Sequence, residues 1–282
     1  MIGKPGGKSA GDVAAEIAMS RLNWPGSFLV VEGPSDSCFW RPRKSANCDV
    51  VIATGRSQLL GAAQLIAKSG IDGVLGIVDD DFDTLLGRPH GIANVLSTEP
   101  RDLEGMLLRS GALDKVLAEY ADTHMVDRFI RQEPPSIQDA LLKRAAIFGK
   151  VHLVNFQSPS PVGLIKLRPP RFRCANSWAY DETLILSEAV RLGVAPDVLT
   201  LKRDISQLPD IPLWQLCRGH DLLLILGDGL KTALGSRAVG EDALSICLRS
   251  GYEKGDLRSS KVWADISAWE STNAPYEILE GK

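Results

Sequence analysis

The sequence predicts an α/β fold, a Rossmann-like parallel sheet of about four strands flanked by helices and followed by a mostly helical C-terminal region. Three observations carry that expectation. Short apolar runs alternate with helical periods through the first hundred residues, and strands alternating with helices at this pitch form parallel sheets with right-handed crossovers. The runs at 28–31 and 73–78 are apolar throughout, as buried strands are, and each ends on an acidic residue. Beyond residue 110 helical periodicity takes over.

In chain order, Val13, Ile17 and Leu22 recur at helical spacing and predict a first helix. Strand 28–31 follows, then a short helix from about Ser35, strand 49–53, and a helix over 57–68. Strand 73–78, a loop and a fourth strand at 92–96 complete the block. Residues 111–156 read as helical with a break at Glu133-Pro134-Pro135, and 157–180 are proline-containing and irregular. Helices are expected again at 182–192, 220–234, 241–250 and 262–270. The expected division is therefore a metal-binding α/β domain with its N-terminal helix at 1–110, and a mainly helical region at 111–282.

With 44% hydrophobic residues in 282, the chain can bury a sizeable core. A net charge of −3 argues against a generic nucleic-acid coat but leaves room for a local basic patch. The five cysteines form no C-x-x-C pair, so reduced thiols are expected rather than a disulfide or zinc framework. No apolar run approaches the roughly 18 residues of a membrane span, and no secretory signal is visible. A cytoplasmic protein with no membrane association is the expectation.

The acidic strand ends carry the chemistry. Glu32 closes the first strand and Asp36 lies four residues on. Asp79, Asp80, Asp81 and Asp83 follow the third strand, and Asp102 and Glu104 follow the fourth. In open α/β sheets, ligands sit outside the carboxyl ends of the strands. Carboxylates gathered there repel one another unless they share protons or bind cations. Oxygen-only donors suit Mg²⁺ or Mn²⁺. Plainer readings exist: Asp36 as a helix cap, Asp102 and Glu104 as acids favoured in a first helical turn, Asp80 and Asp83 as solvated loop residues. For Asp79 and Asp81 the plain reading is weaker, since 72–83 holds five aspartates and no lysine or arginine.

Val31-Glu32-Gly33-Pro34-Ser35-Asp36, then Ile77-Val78-Asp79-Asp80-Asp81-Phe82-Asp83, then Asp102-Leu103-Glu104 resemble the ordered motifs of a Toprim domain. Within that superfamily the chain is similar to a bacterial family that includes the effector subunit of the PARIS anti-phage system, and more distantly to OLD-family nucleases. Arg218-Gly219-His220-Asp221-Leu222-Leu223, Tyr252, Ile266-Ser267-Ala268-Trp269-Glu270 and Asn273 resemble further segments of the family. The resemblance implies a Toprim-like fold, Glu32 as principal acid, Asp79 and Asp81 as metal ligands, and Asp36 and Glu104 as supporting ligands. It also implies assembly with an ATPase partner, and a homo-oligomer is expected. Asp80 departs from the pattern, standing where a basic residue often separates the two aspartates.

Residues 128–173 hold nine basic and two acidic residues, with Phe156, Phe172 and Trp178 in or beside them. Basic residues interleaved with aromatics suit unpaired bases and phosphates. Lys150, Lys166, Arg168, Arg171 and Arg173 are the expected nucleic-acid contacts, the alternative being a solvated helix face or partner contact. His220 is either an auxiliary phosphate or leaving-group residue or a structural histidine at a helix start. Gly6-Gly7-Lys8-Ser9 imitates a P-loop but lacks the leading glycine and a preceding strand. The four histidines show no zinc spacing, and no serine or cysteine nucleophile motif appears. No tyrosine beside the motif points to covalent topoisomerase chemistry. The expected function is a metal-dependent nuclease acting on RNA, such as tRNA, or on DNA, in anti-phage defence. A non-catalytic scaffold that binds an ATPase or nucleic acid is the alternative.

Overall fold

The computed structural model describes residues 7–132 and 136–281. Gly6 of the glycine–lysine–serine stretch and Glu133-Pro134-Pro135 of the basic segment lie outside the described residues. Two compact units form, Met1–Glu99 with Lys254–Lys282, and Pro100–Glu253.

The first unit contains α1 (Ala10–Arg21), β1 (Ser27–Val31), α2 (Pro34–Trp40), β2 (Cys48–Ile52), α3 (Arg56–Lys68), β3 (Val74–Val78) and β4 (Val95–Ser97). The strands form one all-parallel sheet in the order β2-β1-β3-β4. The expected α/β class is thus observed. β1 and β3 are the inner strands and every residue of both is buried, which is why they read as unbroken apolar runs. Val13 and Ile17 of α1, with Leu59, Ala62 and Ile66 of α3, cover one face of the sheet against Phe28, Val30 and Val51. Each of the valine, leucine, isoleucine and phenylalanine side chains among them contributes about 1.5–3 kcal/mol on burial. Gly76 lets α3 come this close: a Cβ there would stand 2.8 Å from Leu59 and 3.2 Å from Val95.

β4 is shorter than the run 92–96 predicts. Asn94 has φ 58°, in the left-handed region, and Trp269 Nε1 donates to its side-chain oxygen at 2.9 Å. The Asn94 carbonyl accepts from the Gly76 N–H at 2.8 Å, and the extended strand begins at Val95.

In the second unit come α4 (Leu103–Leu108), α5 (Ala112–Tyr120), α6 (Thr123–Gln132), α7 (Ile137–Gln157), α8 (Glu182–Leu192), α9 (Val198–Ser206), α10 (Leu213–Leu216), α11 (Gly219–Thr232) and α12 (Glu241–Gly251). The 21-residue α7 buries Leu141, Ala145, Phe148 and Val151. The irregular stretch after it carries a 3₁₀ turn at Pro169–Phe172 and one antiparallel bridge, Arg173 to Tyr180. Its aromatics are core: Phe172 packs on Phe148 with centroids 6.0 Å apart, and Trp178 donates to the Ile225 carbonyl at 2.7 Å.

The division differs from the sequence reading in two places. The break falls at Glu99/Pro100 rather than near 110, because α4 packs with α5, α11 and α12. The last segment, α13 (Lys254–Arg258) and α14 (Lys261–Thr272), belongs to the first unit. The Ser45 N–H donates to the Ile278 carbonyl at 2.7 Å, and Lys44 pairs with Leu279 in a β-bridge. The buried Glu270 accepts from the Ile278 and Leu279 N–H groups at 2.6 and 2.9 Å. Long-range contacts of this kind leave no periodic trace in a sequence. Among the described residues no helix is long and apolar enough to cross a membrane, and all five cysteines are free thiols.

Candidate functional site

The carboxyl edge of the sheet gathers the ends of all four strands. Val31 is in register with Ile77, so Glu32 and Asp79 leave neighbouring strands side by side. The Asp79 N–H donates to Glu32 Oε1 at 2.9 Å. Asp79 Oδ1 accepts from the Thr98 hydroxyl at 3.2 Å, and Thr98 N–H continues the β4 ladder to the Val78 carbonyl at 2.8 Å. From the β2 side, the Gly55 N–H donates to the Glu32 carbonyl at 2.9 Å. Glu32 and Asp79 are therefore held by backbone that the sheet itself fixes.

Asp36, third residue of α2, turns Oδ2 back to the Gly33 N–H at 2.8 Å. It is the helix cap that its position suggests, and it still repels Glu32. Burial is the main reason that the Glu32 carboxyl is pushed up to about 7, and the charges of Asp36 and Asp81 push the same way. The Asp79 N–H and Arg56 oppose them without prevailing. Two or three acids at close quarters in a half-buried setting favour a proton or a cation on one of them.

Asp80 and Asp83 are not solvated loop acids. Asp80 is 6% exposed, and it accepts from the Thr84 hydroxyl at 2.5 Å and the Thr84 N–H at 3.3 Å. Asp83 forms an ion pair with Arg56. Asp81, at φ 51°, lies 3.7 Å from the same guanidinium, which also donates to the Asp79 carbonyl. Arg56 opens α3, with three residues between it and the end of β2, and supplies the counter-charge that 72–83 lacks. It went unread because its partners are more than twenty residues away. The signal that could have found it is an arginine at a third strand end on the same edge.

Among the described residues, no three His, Cys, Asp or Glu side chains are grouped so as to hold a metal ion. The donor chemistry of Glu32, Asp79 and Asp81 fits a hard divalent cation, whereas the charge beside Asp81 and Asp83 is met by a guanidinium.

Glu104 lies in the other unit, in the first turn of α4. Asp102 caps that helix, with Oδ1 accepting from the Gly105 N–H at 2.8 Å. Its Oδ2 accepts from the Gly219 N–H at 2.7 Å, so the Arg218-Gly219-His220-Asp221 segment clamps α4. Burial pushes the Asp102 carboxyl up against the pull of Arg101 and of these two N–H donors. Gly219 admits no side chain: a Cβ would stand 2.3 Å from Asp102 Oδ1. The buried Asp221 lies 3.3 Å from His152. His220 Nδ1 is 2.7 Å from Glu241, the same carboxylate that pairs with Arg168 at 3.0 Å.

Arg168, Arg171 and Arg173 of the basic segment are ion-paired within its unit. Arg171 pairs with Glu188 and Arg173 with Asp228, each at 3.3 Å. Phe172 and Trp178 are buried, which corrects the expectation that they stack on bases, while Phe156 is 39% exposed. Lys150 and Lys166 form no side-chain ion pair among the described residues. Lys150 lines a cavity of about 580 Å³ with Lys202, Glu182, Leu186 and Ile205.

No protein-family model and no curated protein matches the chain.

Proposed function

We propose that the acidic sheet edge is the centre of a metal-dependent nuclease that hydrolyses phosphodiester bonds in RNA, such as tRNA, or DNA. Given the Toprim resemblance, an anti-phage defence effector working with an ATPase partner is the concrete version. The observation that supports it most is the half-buried Glu32 carboxyl, pushed up to about 7 and fixed against Asp79 at the ends of adjacent parallel strands. Such a group favours a positive partner. Glu32, Asp79 and Asp81 would hold Mg²⁺ or Mn²⁺, with Asp36 supporting Glu32. A bound divalent ion supplies an acidified water and neutralises charge on the phosphate. Thr98 orients Asp79, Gly55 and the Asp79 N–H orient Glu32, and Lys150 and Lys166 are the proposed phosphate contacts.

A second reading has its own observation. Arg56 already meets the charge of Asp81 and Asp83, which suits a non-catalytic scaffold for nucleic acid or an ATPase partner. Cleavage of labelled tRNA, single-stranded DNA and duplex DNA with Mg²⁺ or Mn²⁺ separates the two. Cleavage abolished by chelator, by Glu32→Gln and by Asp79→Asn supports the nuclease and names its substrate. Cleavage that survives both substitutions rules out this site, and no cleavage, with or without the ATPase partner, favours the scaffold.

A further inference from the structure

We infer that Arg56 is a built-in counter-ion of the acidic edge, holding Asp81 and Asp83 until a divalent ion displaces it. This deepens the metal-dependent reading above and rests on it.

The geometry carries the inference in three steps. Arg56 contacts three of the four aspartates that follow β3, through the Asp79 carbonyl and the Asp81 and Asp83 carboxylates. Its side chain is only 21% exposed, so water screens it less than it would a surface pair. Next, both arms of the contact are held in unusual backbone. Thr54 has φ 64° and Gly55 φ 128° just before Arg56, and Asp81 has φ 51°. Non-glycine residues in that region cost of order 1 kcal/mol or more each and persist where the surroundings impose them. Finally, the Gly55 N–H ties this loop to the Glu32 carbonyl, so Arg56 and Glu32 share one support.

An arginine does not give up its proton. Neutralisation by deprotonation is closed to it, and a dication arriving at Asp81 meets a fixed like charge. For the dication to reach Asp81 the guanidinium has to leave that carboxylate, which frees its charge for an incoming phosphate. It would supply the positive group that Asp80 does not.

The experiment is Mn²⁺ titration of the full chain by water-proton relaxation, at pH 7.5, for wild type, Arg56→Gln, Arg56→Met and Arg56→Lys, with thermal melts in chelator. Arg56→Gln and Arg56→Met should bind Mn²⁺ about tenfold more tightly, since one like charge near the ion is gone. Both should melt lower in chelator and regain that loss with Mn²⁺. Arg56→Lys should stay near wild type, because it keeps the charge. Met retains an apolar stem, so it serves where Gln fails to fold. Equal or weaker binding by both neutral variants, with wild type binding Mn²⁺, would overturn the counter-ion role and leave the metal reading standing. Absence of Mn²⁺ binding in all four proteins would overturn both.

Discussion

Glu32 sits where two demands conflict. The sheet needs its backbone at the end of β1, and burial beside Asp36 and Asp81 resists its charge. The sign of the consequence is definite. A folded-state carboxyl pushed up to about 7 from an ordinary 4.5 keeps its proton more tightly than the unfolded chain does. Its contribution to stability is full below pH 4.5 and is lost as pH rises through about 7. Glu32→Gln keeps an oxygen for the Asp79 N–H and removes the titration. In chelator it should be more stable than wild type at pH 8 by about 2 kcal/mol, discounted for partial exposure, with the gap closing near pH 4. Urea unfolding at the two pH values measures this. A gap independent of pH would show that Glu32 is not held protonated. By the same linkage, Mn²⁺ binding should strengthen as pH rises through 7, because the ligand must lose its proton. Glu32 and Asp79 were legible in the sequence, since acids ending apolar runs declare where strands stop. Arg56, Thr98 and the burial of Asp80 were not, because each depends on which strand ends become neighbours.

The elements tell a similar story about motifs. In sequence, Arg218-Gly219-His220-Asp221 is open between an auxiliary phosphate residue and a structural histidine at a helix start, and its glycine lets the α11 start approach α4. Asp102 bonds both the Gly105 and Gly219 N–H groups from a buried position. Asp102→Ala therefore removes a cap worth about 1 kcal/mol and strands a buried donor at a further 1–3 kcal/mol. A loss of roughly 2–4 kcal/mol in urea unfolding is expected. Gly219→Ala should destabilise similarly through overpacking, since its Cβ would overlap Asp102. Losses below about 1 kcal/mol in both would mean that this clamp is not made. The basic segment was legible as composition but not as surface. Acids that neutralise Arg168, Arg171 and Arg173 come from α8, α11 and α12, outside the window in which the charges were counted. Lys166→Glu should leave stability within about 0.5 kcal/mol and weaken nucleic-acid binding in a fluorescence-anisotropy titration. Arg173→Glu, set against Asp228 at 3.3 Å and only 19% exposed, should instead lower stability. If neither changes binding, nucleic acid does not follow this segment.

At the scale of the whole chain, the helical tail that sequence periodicity assigned to the second region completes the first. Its strands were readable because β1 and β3 are buried on both faces. Its closure was not, because a return after some 150 residues leaves no local pattern. Trp269 supports the turn into β4 through Asn94, and Glu270 accepts two backbone N–H groups that have left regular structure. Ile266 and Ile278 are fully buried in the same unit. A fragment covering 1–110, cut where composition changes, should therefore fail to fold, since it exposes the apolar surface that α14 covers. Adding 254–282 in trans to a 1–99 fragment should restore protease resistance and helical circular dichroism. Within the intact chain, Glu270→Ala should cost roughly 2–4 kcal/mol by leaving two donors without their acceptor, whereas Glu270→Gln, which keeps an acceptor oxygen, should cost less. A protease-resistant 1–110 fragment would show that the sheet, and with it the acidic carboxyl edge, forms without segment 254–282. In that case the acidic site could be tested on that fragment alone. If it does not fold, the acidic site must be studied in the full chain, because segment 254–282 completes the unit around the amino ends of the strands, opposite the acidic edge.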